Sequence, residues 1–194
     1  EFQALVRTMV AVMRAAPGVG LAAPQLGVSK RVFVMEDPPE FVAKLSEVER
    51  AERGRVPVPL RTIVNPVLRP VGDAKVGFFE GCLSLAGYVG FVERWAEVEV
   101  TGLDETGAPV SVRLSGWPAR ILQHETDHLA GTLYVDRMVT RSFSTAETAK
   151  VRFGGRPVAV AMQRNVFAFQ TGEFATRVRR IVELQRAYFA DDDM

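Results

Sequence analysis

The chain is poor in the residues that cross-link, coordinate metals and titrate near neutrality. Its 194 residues include one cysteine, Cys82, and two histidines, His124 and His128. A single cysteine excludes an internal disulfide framework and suggests a reducing compartment or a special role for that thiol. No run of about 18 apolar residues occurs, so no transmembrane helix is expected. Lys and Arg number 24 against 23 Asp and Glu, a formal net charge of +1. Nothing in that balance calls for nucleic acid or an anionic membrane as a partner. Internal repeats and low-complexity tracts are lacking too. The first residue is Glu1, already inside a helical pattern. The natural N-terminus, with any targeting peptide, is therefore expected to lie upstream.

What is there is ordinary globular material. Hydrophobic residues make up 47% of the chain, enough at this length for a core without covalent staples. Phe2, Leu5, Val6, Met9, Val10 and Met13 recur at helical spacing and predict an amphipathic helix over 2–15. Pro17, Gly18 and Gly20 end it and open a loop. Residues 32–36 (VFVME) read as a strand. Residues 38–59, with charges from Glu47 to Arg55, read as a solvated surface loop with room for a helical turn.

Strands are expected over 61–70 and 75–80. Val98 and Val100, then Val110, Val112 and Leu114, alternate with polar residues around a turn at Asp104–Gly107, which predicts a hairpin. A helix is expected over 117–130, with Ser115 as N-cap, Pro118 in its first turn and Gly131 past its end. Residues 157–169 read as extended. Residues 173–189 place Phe174, Val178, Ile181, Val182 and Tyr188 on one helical face. The class is α+β, with antiparallel strands packed around a central helix.

The chemistry concentrates in that helix. His124-Glu125-Thr126-Asp127-His128 puts two imidazoles four residues apart, one above the other on one face. Two ring nitrogens so placed can reach one ion at about 2.0–2.1 Å. Glu125, offset around the helix, is placed to handle the protons of a water on that ion rather than to ligate it. The motif names a metal site and leaves the reaction open, because the third ligand decides. Tyr134 stands where one class of zinc proteases carries a third histidine. A downstream carboxylate, Glu147, is one alternative. Cys82, in Glu80-Gly81-Cys82-Leu83-Ser84-Leu85, is the other. A free cysteine is usually a small buried hydrophobe, but a two-histidine site in want of a ligand favours coordination. Gly18-Val19-Gly20-Leu21-Ala22-Ala23-Pro24-Gln25 forms a third segment. Its glycines allow close backbone approach, and Gln25 offers an amide donor for a developing oxyanion.

The segments GVGLAAPQ, EGCLSL and QHETDHLAG, in that order, resemble the peptide deformylase family. The resemblance runs from about residue 2 to about residue 145. The stretches VMRAAPGVGLAAPQ, AGY after EGCLSL, and SGWPARILQHE look most like the type I members of mitochondria and plant organelles. Ala86 and Val89 stand where bacterial members often carry a proline and an arginine, so a substrate role for that loop arginine has no counterpart here.

The resemblance implies a catalytic domain over 1–150, with 151–194 an extension packed on the same domain. It implies a hydrolase that removes the formyl group from the N-terminal methionine of nascent polypeptides at the ribosome, in a mitochondrion or other organelle or in a bacterial cytoplasm. A homodimer is compatible with it. Cys82, His124 and His128 would bind one divalent ion, Fe²⁺ in vivo, with Zn²⁺, Ni²⁺ or Co²⁺ able to substitute. Glu125 would act as general base and then general acid on the ion's water. Gln25 and the Leu83 backbone N–H would bind the oxyanion. The Gly20 backbone would align the peptide, while Val19, Gly81, Trp117 and Ile121 would surround the methionine side chain. Glu80 would support the site from behind, paired with Arg94 or Arg120. Two rivals stand beside this reading: a zinc endopeptidase using Glu147, and a divergent member that binds N-termini without turnover.

Overall fold

The structure, a computed structural model, describes residues 1–140 and 142–145. The extended segment expected at 157–169, the helix expected at 173–189, Glu147 and the extension from 151 lie outside the described residues. The strands are β1 (Gly20–Ala22), β2 (Val32–Asp37), β3 (Val58–Pro70), β4 (Lys75–Cys82), β5 (Leu85–Trp95), β6 (Glu97–Leu103), β7 (Pro109–Ser115) and β8 (Ser144–Thr145). The helices are α1 (Phe2–Ala15), α2 (Pro39–Val42), α3 (Glu47–Arg53), α4 (Gly116–His128) and α5 (Tyr134–Arg137). Among the described residues no helix is long and apolar enough to cross a membrane. The described residues form two compact units, one of Glu1–Val76 with Arg94–Ala130, the other of Gly77–Glu93 with the described residues from Gly131 on.

In the first unit, β1, β2, β3, β6 and β7 form one sheet in that order, each neighbouring pair antiparallel. The apolar stripe of α1 buries Val6, Met9 and Met13 against Leu21, Ala23, Val32 and Val34. That stripe was legible as a 3.6-residue period. The expected hairpin is β6–β7, with Val98 opposite Leu114 and Val100 opposite Val112. Its turn is tied by Asp104, whose Oδ1 accepts from the N–H groups of Thr106 at 2.8 Å and Ala108 at 2.9 Å. Gly107 supplies the left-handed step at φ 88°.

The segment 38–59 is more ordered than its charge suggested. Ser46 and Glu49 form a reciprocal cap on α3: Ser46 Oγ accepts from the Glu49 N–H at 3.2 Å, and Glu49 Oε2 from the Ser46 N–H at 2.9 Å. Gly54 closes the helix at φ 55°. Nor is the segment wholly solvated. Arg55 donates twice to Asp37, at 2.7 and 2.9 Å, and the Asp37 side chain is fully buried. A charge run read locally looks solvated; here its partner sits at the end of an earlier strand.

The central helix also differs in detail from expectation. It ends at His128, two residues early, with Leu129 as C-cap. Ser115 occupies the N-cap without a side-chain bond. The N–H of Trp117 instead donates to the carbonyl of Gly54 at 3.3 Å. Gly116 (φ 61°) makes this approach possible, since a Cβ there would lie 3.0 Å from the Gly54 Cα. Ala119, Ile121, Leu122 and Leu129 pack into the core with Phe33, Met35, Ile63, Val98 and Val100.

A second stripe of α4 is polar and anchored. Gln123 accepts from the Trp95 N–H at 3.0 Å and donates to the Trp95 carbonyl at 2.9 Å. One turn on, Asp127 accepts from Arg94 Nη1 at 2.5 Å, with both side chains buried. Beyond the last turn, Arg31 donates to the carbonyls of Leu129 and Pro66, each at 3.4 Å.

In the second unit, β5 lies between β4 and β8, with Tyr88 opposite Thr145 and Val89 opposite Ser144. Leu85, Val92, Tyr134 and Phe143 form its core. Ser142 Oγ accepts from the Phe91 N–H at 3.0 Å, and the Val139 N–H donates to the Phe91 carbonyl at 2.8 Å. Strand β5 was not anticipated, because Gly87 and Gly90 interrupt any clean alternation of polar and apolar residues.

Asp127→Ala is expected to destabilise the protein by about 3–5 kcal/mol in denaturant unfolding, because it removes a buried carboxylate that pairs with the buried Arg94 cation. A single-variant loss below about 1 kcal/mol would contradict a buried, paired Asp127.

Candidate active site

The predicted metal-binding motif lies on α4 as its spacing required. The His124 and His128 rings are one turn apart, their centroids 4.9 Å from each other and their planes at 80°. His128 is buried and His124 half-buried. Glu125, between them in sequence, points around the helix toward β1 and is buried at 4% exposure. A Cβ on Gly20 would lie 2.6 Å from the Glu125 carboxyl carbon, so the carboxylate lies directly against that strand's backbone.

The same strand leads to Gln25. All three residues of β1 are buried, and a 3₁₀ turn over Ala23–Leu26 follows. The Ala22 N–H donates to Gln25 Oε1 at 2.8 Å. This contact fixes which end of the amide is which: the oxygen faces the backbone, and the NH₂ group is the end presented elsewhere.

Cys82 ends β4 and is half-buried, followed by the exposed Leu83. Cys82, His124 and His128 are the residues whose chemistry could hold a metal ion. One thiol and two imidazoles form a donor set suited to zinc or iron, and three protein ligands leave a fourth position for water or substrate. The residues therefore fit a divalent transition-metal ion.

The remaining expected residues separate by environment. Ile121 is buried, and Val19 and Trp117 pack partly buried against the same core. The Trp117 ring has the guanidinium groups of Arg53, Arg55 and Arg120 at 5.2, 5.6 and 6.0 Å from its centroid. Burial, then the neighbouring Arg55, lowers the pKa of Arg53 from its ordinary value. Gly81 is exposed. Glu80 is 4% exposed, so it is no surface carboxylate. Arg94 forms the ion pair with Asp127, and Arg120 donates to the Val76 carbonyl at 2.6 Å. In the second unit, burial raises the Tyr134 phenol above its ordinary pKa, with the Cys82, Glu80 and Tyr88 side chains acting in the same direction.

Gln123, Asp127 and Arg94 do not stand out as a group in the sequence, where Asp127 looks like a spacer within the motif. Their signal is the i, i+4 spacing of Gln123 and Asp127, parallel to the histidine stripe and one position behind it.

Residues 1–143 match the family model for polypeptide deformylase. Peptide deformylase 3 of Streptomyces avermitilis is 53% identical over 141 residues, covering 73% of this chain and 61% of that protein. Peptide deformylase 1A of Arabidopsis thaliana, chloroplastic/mitochondrial, is 50% identical over 147 residues, covering 76% of this chain and 55% of that protein. The chain thus spans less than two thirds of the length of these relatives, which include bacterial and organellar forms. The crystal structure of a peptide deformylase from Synechococcus elongatus, in complex with actinonin, superposes with a TM-score of 0.58 at 37% identity, covering 72% of this chain and 66% of that one. The chain belongs to the peptide deformylase family, whose members depend on a metal.

Proposed function

We propose that the chain removes the formyl group from the N-terminal formyl-methionine of nascent polypeptides, releasing formate and a free amine. The observation that carries this reading is the pair of imidazoles of His124 and His128, one turn apart on α4 beside the buried Glu125, in a chain that matches the family over residues 1–143. Cys82, His124 and His128 would hold the ion, Fe²⁺ in vivo, with Zn²⁺, Ni²⁺ or Co²⁺ able to substitute. When bound, such an ion acts as a Lewis acid on the formyl carbonyl and makes water acidic enough to attack near neutral pH.

The protein's own groups divide the remaining work. Glu125 takes the proton of the attacking water and hands it to the departing amine as the formamide C–N bond breaks. Gln25, with its oxygen held by the Ala22 N–H, directs an amide N–H at the developing oxyanion, and the backbone N–H of Leu83 joins it. The Gly20 backbone aligns the peptide as an added strand. Val19, Gly81, Trp117 and Ile121 enclose the methionine side chain. The domain is taken as 1–150 with the extension from 151 packed on it. The setting is nascent chains at the ribosome of a mitochondrion or other organelle, or of a bacterium.

The direct test is formate release from a formyl-Met peptide by anaerobically prepared protein loaded with Fe²⁺ or Ni²⁺. Folded, metal-loaded protein that releases none above background would end the proposal. Glu125→Gln is expected to retain metal and lose about 10²–10⁴-fold in kcat; unchanged turnover would remove Glu125 from the mechanism.

Metal analysis should show loss of the ion in Cys82→Ala and retention in Glu147→Ala. The reverse pattern would favour the endopeptidase reading. Saturating actinonin should raise Tm by roughly 5–10 °C, as expected for ligand near 100 times its Kd. No shift would argue against an open ligand position on the ion.

A further inference from the structure

We infer that Gly20 is a positioning residue for Glu125: the missing side chain at Gly20 sets where the proton-carrying carboxylate lies. This inference rests on the proposed role of Glu125 and adds a second function to a residue otherwise expected only to align the peptide.

Three observations carry it. Gly20 does not need glycine for its backbone, since it is not among the residues with positive φ. Alanine is therefore conformationally acceptable there, and the reason for glycine must be space. One residue supplies the three atoms nearest to that space. The heavy atoms nearest an ideal Gly20 Cβ all belong to Glu125, with the carboxyl carbon at 2.6 Å and Cγ at 2.8 Å. Real carbon atoms do not approach so closely, so any side chain at 20 must displace the carboxyl group. Finally, the strand cannot easily retreat. Gly20, Leu21 and Ala22 pair with Met35, Val34 and Phe33, all three β1 residues are buried, and the Ala22 N–H is committed to Gln25. Glu125 is the more mobile partner, and it sits on a helix whose own position is held by Gln123 and Asp127.

The consequence is kinetic more than thermodynamic. A carboxylate moved by about 1 Å still fits in the protein, but it is misplaced for proton transfer, and misplacement on that scale can cost about 10²-fold in rate. The backbone groups of residue 20 are unchanged by a methyl, so peptide binding should be little affected. Gly20→Ala is therefore expected to lower kcat by about 10²-fold with KM within about threefold. In a Glu125→Asp background, where the carboxyl group is withdrawn by one methylene, the same Gly20→Ala change should cost under about threefold.

The companion measurement is a crystal structure of metal-free Gly20→Ala beside the unsubstituted chain. The expected result is a Glu125 carboxyl carbon displaced by about 1 Å with β1 in place. An unmoved carboxylate, or a loss of kcat equal in the unsubstituted and the Glu125→Asp backgrounds, would overturn the inference. If Gly20→Ala fails to fold, folding of Gly20→Ala/Glu125→Ala supports the steric coupling, and failure of both refutes it. Displacement of the carboxylate in a protein that releases no formate would sink the deformylase reading and leave the coupling intact.

Discussion

The arrangement of α4 depends on how its polar stripe is held. Gln123 brackets the backbone of Trp95 through both ends of its amide, and Asp127 pairs with the buried Arg94. Buried polar groups stabilise only when satisfied, and removing one partner costs far more than the bond itself contributes. The pair therefore leaves the helix little freedom to rotate. A rotation that moved Gln123 and Asp127 out of register would expose both to unpaired burial. The histidines sit one position further along the chain, so the same restraint fixes the direction of the imidazoles.

Around that helix, short backbone segments replace side chains where room is needed. Gly116 lets the first turn of α4 lie against Gly54, whose carbonyl accepts the Trp117 N–H. Gly20 lets the Glu125 carboxyl group lie against β1. Each contact joins residues far apart in sequence, and each is closer than a Cβ would permit. At Gly20 the glycine answers to the opposing surface alone, whereas at Gly116 the φ of 61° adds a conformational reason of its own.

Several elements were legible from residues alone. The α1 stripe of Val6, Met9 and Met13 and the β6–β7 alternation around Asp104–Gly107 follow from the two side-chain periods, 3.6 and 2, and from turn chemistry. The structure has α1 and the hairpin where those patterns put them. Strand β5 escaped because its glycines break the period. The segment around α3 looks solvated in sequence because Arg55 finds its carboxylate at Asp37, across a stretch that local charge patterning does not see. The cap at Ser115 was half right: the position is the N-cap, but the helix's free N–H is satisfied from Gly54.

At the candidate site the division is sharper. Sequence by itself determined that two imidazoles share one helical face with a carboxylate beside them, because the geometry of an α-helix fixes neighbours three and four residues apart regardless of what it packs against. It also offered Cys82 and Glu147 as competing third ligands without choosing by geometry. Only the tertiary structure laid Glu125 against Gly20 and turned Asp127 from a spacer into an anchor. These are contacts between segments tens to about a hundred residues apart, and they exist only once the apolar faces have packed and fixed which backbones meet.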